Sequence, residues 1–319
     1  MSTGFLFEPP VPESRLRLAA SLGRLAAEQV WIGTSSWKYP GWLGQIYTEE
    51  RYLVRGRFSE RVFTDTCLAE YAETFPVVCG DFTFYQFPSE QYWRKLFHSA
   101  PPALRFAFKV PEQVTVRVWP SQARYGGRAG EENPSFLDAG LLGQEFLRPL
   151  EPYRERVAAL ILEFGAFPRG FFRDAEAFSA ALERFLRALP AGFRYAVEIR
   201  NPEFLDPDYF SCLRRCGAAH VFNAWSRMPE LGAQIAMPDA FTADFSVTRA
   251  LLRFGRSYEQ AVRKFEPYSQ VQEVNQPARD AVRNIIDRAR RQRQAAFVFV
   301  NNRLEGNAPA TIGAIVEDL

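Results

Sequence analysis

The sequence predicts an α/β fold of the (β/α)₈ TIM-barrel type, and three observations predict it. Eight short apolar segments recur along the chain, helical patterns separate them, and most end on a polar or charged residue. Strands alternating with helices build a parallel sheet. Eight such units close into a barrel, whose chemistry sits at the C-terminal ends of the strands. A chain of 319 residues suits one such barrel with insertions, and its 47% hydrophobic content with 29 Phe is enough to bury a large core.

The elements follow in order. Residues 1–13 read as an irregular lead-in, and Ser14 as the cap of a helix from Arg15 to Glu28. That helix carries Leu18, Leu22 and Leu25 on one stripe and is expected to cover the N-terminal end of the barrel. Residues 1–29 are thus an N-terminal extension with a capping helix, and residues 30–319 the barrel itself, a single domain. The eight strands are expected at Val30–Ser35, Val77–Tyr85, Leu104–Val110, Ala158–Phe164, Arg194–Arg200, Ala219–Asn223, Phe245–Phe254 and Ala295–Asn301. Helices are expected at Glu60–Phe75, stopped by Pro76, then Ser89–Phe97, Phe136–Leu150, Asp174–Leu189, Asp206–Cys216, Ala278–Arg293 and Ala308–Leu319. Two long connections, Pro111–Pro134 and Gly255–Asn275, follow strands three and seven; connections of that length in a compact domain usually carry function or move.

Composition narrows the function classes. A net charge of +2 offers no global field for nucleic acid or membrane. No stretch approaches the roughly 18 apolar residues of a membrane span, and the N-terminus lacks the pattern of a signal peptide. A cytoplasmic, soluble protein is expected. Cys67, Cys79, Cys212 and Cys216 form no CxxC pair and read as buried free thiols. The two histidines, His98 and His220, fall at a helix end and at the start of a strand, away from the C-terminal face. No metal site or cofactor is therefore expected; carboxylates and Asn alone would suit only Mg²⁺. Phosphate-loop motifs and a GxSxG elbow are absent.

Period-two alternation nominates the side chains that point into the barrel. The second strand turns Cys79, Asp81, Thr83 and Tyr85 inward, with Phe82 and Phe84 outward. The third turns in Ala107 and Lys109, the fourth Ile161 and Glu163, the fifth Ala196, Glu198 and Arg200; Arg249 and Asn301 or Asn302 join from strands seven and eight. Asp81, Glu163 and Glu198 thus converge on Lys109, Arg200 and Arg249. Lys109 stands out because the chain holds only Lys38, Lys95, Lys109 and Lys264 as lysines. Trp37, Tyr39, Trp42 and Tyr47 cluster past strand one, where aromatic rings could stack on a sugar or a base or pack the loop as a minor core.

These stretches resemble the YecE-like family, domain of unknown function 72. The matching segments are Ile32-Gly33-Thr34-Ser35-Ser36-Trp37 with Tyr39-Pro40-Gly41-Trp42, Thr83-Phe84-Tyr85, Phe106-Ala107-Phe108-Lys109-Val110-Pro111, Ala196-Val197-Glu198-Ile199-Arg200-Asn201-Pro202 and Val300-Asn301-Asn302. They run in family order from about residue 31 to 311. The resemblance implies a TIM barrel without an established activity, and a kinship with endonuclease IV-type barrels that makes DNA a candidate ligand. It carries over Lys109, Glu198 and Arg200 as site residues. The chain departs from the family pattern at Val78-Cys79-Gly80-Asp81, where Val-Glu-Ile-Asn is common, at Glu163 for Gln, and at Asn201 for His. An Arg-Leu-His-Gly motif survives only as Arg249.

Three functions compete on this reading. The first is an enzyme of the hydrolase or lyase class acting on a small anionic or hydroxylated substrate. Glu198, Glu163 and Lys109 would be its catalytic groups; Arg200, Arg249, Asp81, Tyr85, Trp37, Asn301 and Asn302 would hold the substrate. The second is a nucleic-acid-binding barrel, using the helix that carries Arg279, Arg283, Arg288, Arg290, Arg291 and Arg293. The third is a non-catalytic sensor that binds the same ligand without reacting.

Overall fold

The structure, a computed structural model, describes residues 11–167, 170–317 and 319. Eight parallel strands close a barrel: β1 Val30–Thr34, β2 Val77–Gly80, β3 Arg105–Lys109, β4 Val157–Glu163, β5 Tyr195–Glu198, β6 Ala219–Ala224, β7 Phe245–Ala250 and β8 Ala295–Val300. Each pairs with its sequence neighbours, and β8 pairs with β1. Around them lie α1 Glu13–Ala27, α2 Glu60–Tyr71, α3 Glu90–Ser99, α4 Ala175–Ala188, α5 Pro207–Arg215, α6 Tyr258–Phe265, α7 Gln276–Gln292 and α8 Ala308–Val316, with shorter turns between. The (β/α)₈ fold class read from the alternation is the fold observed.

Alternation sorts the strand residues into two cores. Cys79, Ala107, Ala159, Ile161, Ala196, Val221, Val247, Phe297 and Phe299 fill the barrel. Val78, Phe106, Phe108, Leu160, Leu162, Val197, Phe222 and Val298 face the helices. The inner set is rich in alanine, and the two β8 phenylalanines take up the space the alanines leave. At the N-terminal end Trp31 stacks on Phe297, with centroids 5.0 Å apart, and Arg105 lies over Trp31.

Several sequence expectations need correction. Helix α1 starts two residues earlier than Ser14 would allow as a cap: Pro12 occupies the cap and Ser14 lies inside the helix. Leu18, Leu22 and Leu25 pack into the outer core rather than into the barrel lumen. Arg15 ties the helix to α2 through a buried pair with Glu70 at 2.9 Å. The second strand ends at Gly80, not Tyr85, because Phe82–Phe84 forms a 3₁₀ turn. A Cβ on Gly80 would stand 2.7 Å from the Phe82 ring, so glycine is what lets the chain fold back there. The helix expected at Phe136–Leu150 instead begins at Ala139, capped by Asp138, and widens into a π turn over Gly143–Leu147. Pro149 lies just beyond that turn; it lacks an N–H and crowds the carbonyl four residues back, so the backbone opens upstream of it. Within the connection Gly255–Asn275 stands α6, which the sequence reading left unassigned. Its start is written in a capping box, Ser257 with Gln260.

The seam between β1 and β2 is the thinnest in the barrel, with Thr34 and Val78 as its registered pair. Tyr71 of α2 bridges it. Its hydroxyl accepts from the Thr34 N–H and donates to the Val77 carbonyl, both at 3.0 Å. Gly33 keeps the approach open, since a Cβ there would meet the Val77 carbonyl oxygen at 1.8 Å. Tyr71→Phe would leave a buried donor and a buried acceptor without partners, at about 1–3 kcal/mol for such a group. We expect urea unfolding of Tyr71→Phe to show a loss of about 2 kcal/mol with an unchanged m-value.

Candidate functional site

The C-terminal ends of the strands deliver six charged side chains to one place. Glu163 closes β4 and Glu198 closes β5, and the two are paired in register on adjacent strands. Lys109 closes β3, Arg249 comes from β7, Asp81 follows β2, and Arg200 lies two residues past β5. Glu198 is completely buried. Its Oε1 accepts from Arg200 Nε at 3.0 Å and Nη2 at 2.7 Å, and its Oε2 accepts from Arg249 Nη1. Glu163 Oε2 gathers three cations: Arg249 Nη1 at 2.6 Å, Lys109 Nζ at 3.0 Å and Arg200 Nη2 at 3.1 Å. Asp81 Oδ1 lies 3.2 Å from Lys109 Nζ and 3.5 Å from Arg249 Nη2. Three carboxylates thus balance three cations.

Exposure divides this network. Glu198 and Arg249 are 0% and 2% exposed at the side chain, whereas Asp81 is 35% exposed. Lys109 and Glu163 stand between, at 11% and 12%. The Glu198–Arg249–Arg200 group therefore forms a floor, and Asp81, Lys109 and Glu163 form the face that solvent reaches. Trp225 backs the Arg200 guanidinium, 3.6 Å from its ring centroid, and Phe84 lies 5.1 Å from Lys109 Nζ.

Neighbouring charges hold Glu163 and Lys109 in the ionised state. Burial opposes ionisation of Glu163, but Arg200, Lys109 and Arg249 outweigh it and hold the carboxyl well below its ordinary 4.5. Burial likewise pulls Lys109 down, and Asp81 and Glu163 overcome it, leaving the ammonium above its ordinary 10.5. Below the floor, burial pushes the Cys79 thiol up to about 12, so it is no thiolate nucleophile at neutral pH.

Of the residues the sequence nominated, Lys109, Glu163, Glu198, Arg200, Arg249 and Asp81 meet in this network. The others do not join it. Asn302 is spent on structure, its Oδ1 accepting from Trp42 Nε1 at 3.1 Å and from the Ala308 N–H at 2.8 Å. Asn301 Oδ1 accepts from the Arg303 N–H. Trp37 is buried with its edge toward Phe82, and Trp42 and Tyr47 belong to the outer core. Tyr85 is 59% exposed and lies under Arg124 on the rim, while Thr83 donates to the Lys109 carbonyl at 2.6 Å. The inward and outward assignment of residues 82–85 was lost because the 3₁₀ turn replaces period two, bringing Phe84 to Lys109. Trp225 and Arg303 were missed, and Phe84 was read as facing outward; turns and loops rather than strands place all three.

The connection after β3 and the segment after β4 enclose a cleft of about 300 Å³ beside the mouth, lined by Arg117, Trp119, Phe167 and Phe171 among others. Helix α7 is less available for nucleic acid than its composition suggests. Arg279 pairs with Glu305, Arg283 donates to the Ile315 and Ala314 carbonyls, Arg288 covers Phe241, and Arg290 pairs with Glu28. Among the described residues, no group of three or more His, Cys, Asp or Glu is placed to hold a metal ion. A divalent cation on Asp81 and Glu163 would have to displace Lys109 Nζ, which bridges them. His220 is buried against Tyr209, its pKa lowered by burial to about 4. All four cysteines are free. No helix among the described residues is long and apolar enough to cross a membrane.

The sequence profile of the family described as "Protein of unknown function DUF72" matches residues 31–319. The chain belongs to the DUF72 family. A DUF72 protein of Thermotoga maritima MSB8 shares the fold with a TM-score of 0.60 at 20% identity, covering 91% of this chain and 98% of that one. A DUF72 protein of Enterococcus faecalis V583 gives a TM-score of 0.58 at 15% identity, covering 91% and 96%. The UPF0759 protein YecE of Escherichia coli (strain K12) is 25% identical over 175 residues, 55% of this chain and 50% of YecE. The chain thus matches about half the length of the curated relatives it resembles. These likenesses establish the family and the barrel; the charge network in this DUF72 chain is described from its own side chains.

Two predictions follow from the burial gradient and the pKa directions. Glu198→Gln strips charge from a buried pair held by two arginines and should cost about 3–5 kcal/mol in urea unfolding. Asp81→Asn, at the open face, should cost less than about 1 kcal/mol. The pH dependence has a defined sign. A depressed carboxyl pKa stabilises the fold above its ordinary 4.5, and that contribution is lost as pH falls through the lower folded value. A raised ammonium pKa stabilises below 10.5, and that contribution is lost as pH rises through the higher folded value. Stability of the wild type minus that of Glu163→Gln should therefore be flat between those limits and shrink on the acid side, read by denaturant titrations across pH.

Proposed function

We propose that the barrel mouth binds one small hydroxylated or anionic molecule against Asp81, Lys109 and Glu163, and acts on it as a hydrolase or lyase. The observation that supports this is the exposure gradient. A network serving only to close the barrel has no need to leave its carboxylate Asp81 35% exposed above the buried Lys109 ammonium that it pairs with. The buried floor of Glu198, Arg249 and Arg200 orients the open groups, and preorganised charge of this kind stabilises charge that develops in a transition state. Because Lys109 stays protonated, it serves as a cation and hydrogen-bond donor rather than as a Schiff-base amine. Because Glu163 stays ionised, it accepts hydrogen bonds from hydroxyl groups and is no general acid at neutral pH. Asp81 is the carboxylate of the network most open to solvent, and so the first that a bound molecule would meet.

The test is a ligand-observed NMR screen of neutral polyols, hydroxy acids and their phosphate esters. Removing a charged hydrogen-bond partner costs about 1.5–3 kcal/mol, or roughly 10- to 150-fold in affinity. Hits should lose affinity on that scale in Lys109→Met and Glu163→Gln, with folding checked by urea. Hits that bind both variants as they bind the wild type would overturn the assignment.

A further inference from the structure

Arg303 is a cation at the barrel mouth that no carboxylate of the described residues claims. It lies three residues past β8, in the turn that leads to α8. Arg200 and Arg249, the arginines of the charge network, are each bound by glutamates. Arg303 instead lies 4.4 Å from the ring centroid of Tyr258 and reaches toward the hydroxyl of Tyr268. Its Nε is buried and has no hydrogen-bond partner. Buried donors left without an acceptor are costly, and a guanidinium presents its donors as a fork that fits an oxyanion bidentately.

The surroundings suit an anion that arrives from solvent. Tyr258 is 45% exposed, so its ring borders solvent beside the Arg303 guanidinium. Tyr268 meets Tyr39 edge-on at 5.5 Å, and both feel the charge of Arg303. Burial, partly offset by Arg303, pushes the Tyr39 hydroxyl up to about 12, so it is a proton donor at neutral pH. Asp81 also acts electrostatically on Tyr39. In the connection after β7, Arg253, Arg256 and Lys264 share the carboxylate Glu273.

We propose that Arg303, framed by Tyr258, Tyr268 and Tyr39, is the seat for an oxyanion head group, phosphate or carboxylate, of the molecule whose hydroxylated part meets Asp81, Lys109 and Glu163. The proposal rests on the function argued above and names the substrate class: a small hydroxylated acid or phosphate ester. The anion replaces the missing acceptor on Arg303, and the charge network stays intact beside it.

The experiment titrates inorganic phosphate and, separately, acetate into the full-length protein at low ionic strength, followed by calorimetry and by ³¹P NMR. One saturable site is expected for at least one of the two anions, and the stronger binder identifies the head group. Arg303→Gln should weaken that site tenfold or more, and Arg303→Lys should restore part of the loss. Arg290→Gln, a surface arginine paired with Glu28, should leave it unchanged. Tyr258→Leu provides an independent variant if Arg303→Gln unfolds, and should weaken the site severalfold. No saturable binding of either anion, or binding that ignores both Arg303→Gln and Tyr258→Leu, overturns the proposal. Its failure is separable from that of the function. Polyols that still depend on Lys109 while anions ignore Arg303 would remove the anion seat alone. Anions that depend on Arg303 while polyols ignore Lys109 and Glu163 would remove the function and leave an anion site.

Discussion

Two glutamates side by side on neighbouring strands set the terms for the upper half of this barrel. Glu163 and Glu198 are in register, and neither can turn away without leaving its strand. Like charges about 4 Å apart repel by about 4 kcal/mol even at an effective dielectric of about 20. Three cations from three other places in the chain answer that repulsion. Arg249 reaches across the lumen from β7 and touches both glutamates, Arg200 folds back from beyond β5 to touch both, and Lys109 joins Glu163 to Asp81. A slip of one residue in β4, β5 or β7 would turn one of these side chains into the apolar outer layer. The ion network and the strand register therefore specify each other.

The lower half of the barrel makes that arrangement affordable in space. Alanines at 107, 159 and 196 lie under the charged layer on the same three strands that carry Lys109, Glu163 and Glu198. Small side chains there leave room for Phe297 and Phe299 from β8, which carries no charge in this layer. On the far side, where β1 and β2 barely pair, a helix side chain completes the backbone bonding, and Gly33 permits the close approach because a Cβ there would collide with the Val77 carbonyl.

Function is a matter of what remains open after these demands are met. Glu198 has both oxygens engaged and no contact with solvent, so it orients rather than reacts. Asp81, Lys109 and Glu163 keep one side toward the mouth, and loop residues shape that side: Phe84 against Lys109, Trp225 against Arg200, and Arg303 on its tyrosines. Charges that stay ionised across the neutral range favour recognition and electrostatic stabilisation over proton shuttling by Lys109 or Glu163.

The strand–helix alternation, the inward parity of β3, β4 and β5, and the meeting of six charges could all be read from the linear order of residues. Those inferences rest on local periodicity, which the chain carries in every short window. The caps Ser89 and Asp174 are equally local, since each side chain bonds a backbone N–H three residues on, but the one cap read from the sequence, Ser14, lies inside its helix. What tertiary structure alone decided is which charges are floor and which are face. Register and closure settle that, because the burial of Glu198 depends on residues more than fifty positions away. The turn after Gly80 was also beyond local reading: Phe82–Phe84 has strand-like composition, and only its packing against Trp93 and Phe108 makes the 3₁₀ geometry the better one. Arg303 gave no signal either. An arginine in a polar turn is ordinary in sequence, and it becomes notable only when folding sets it against tyrosines with its buried Nε unpartnered.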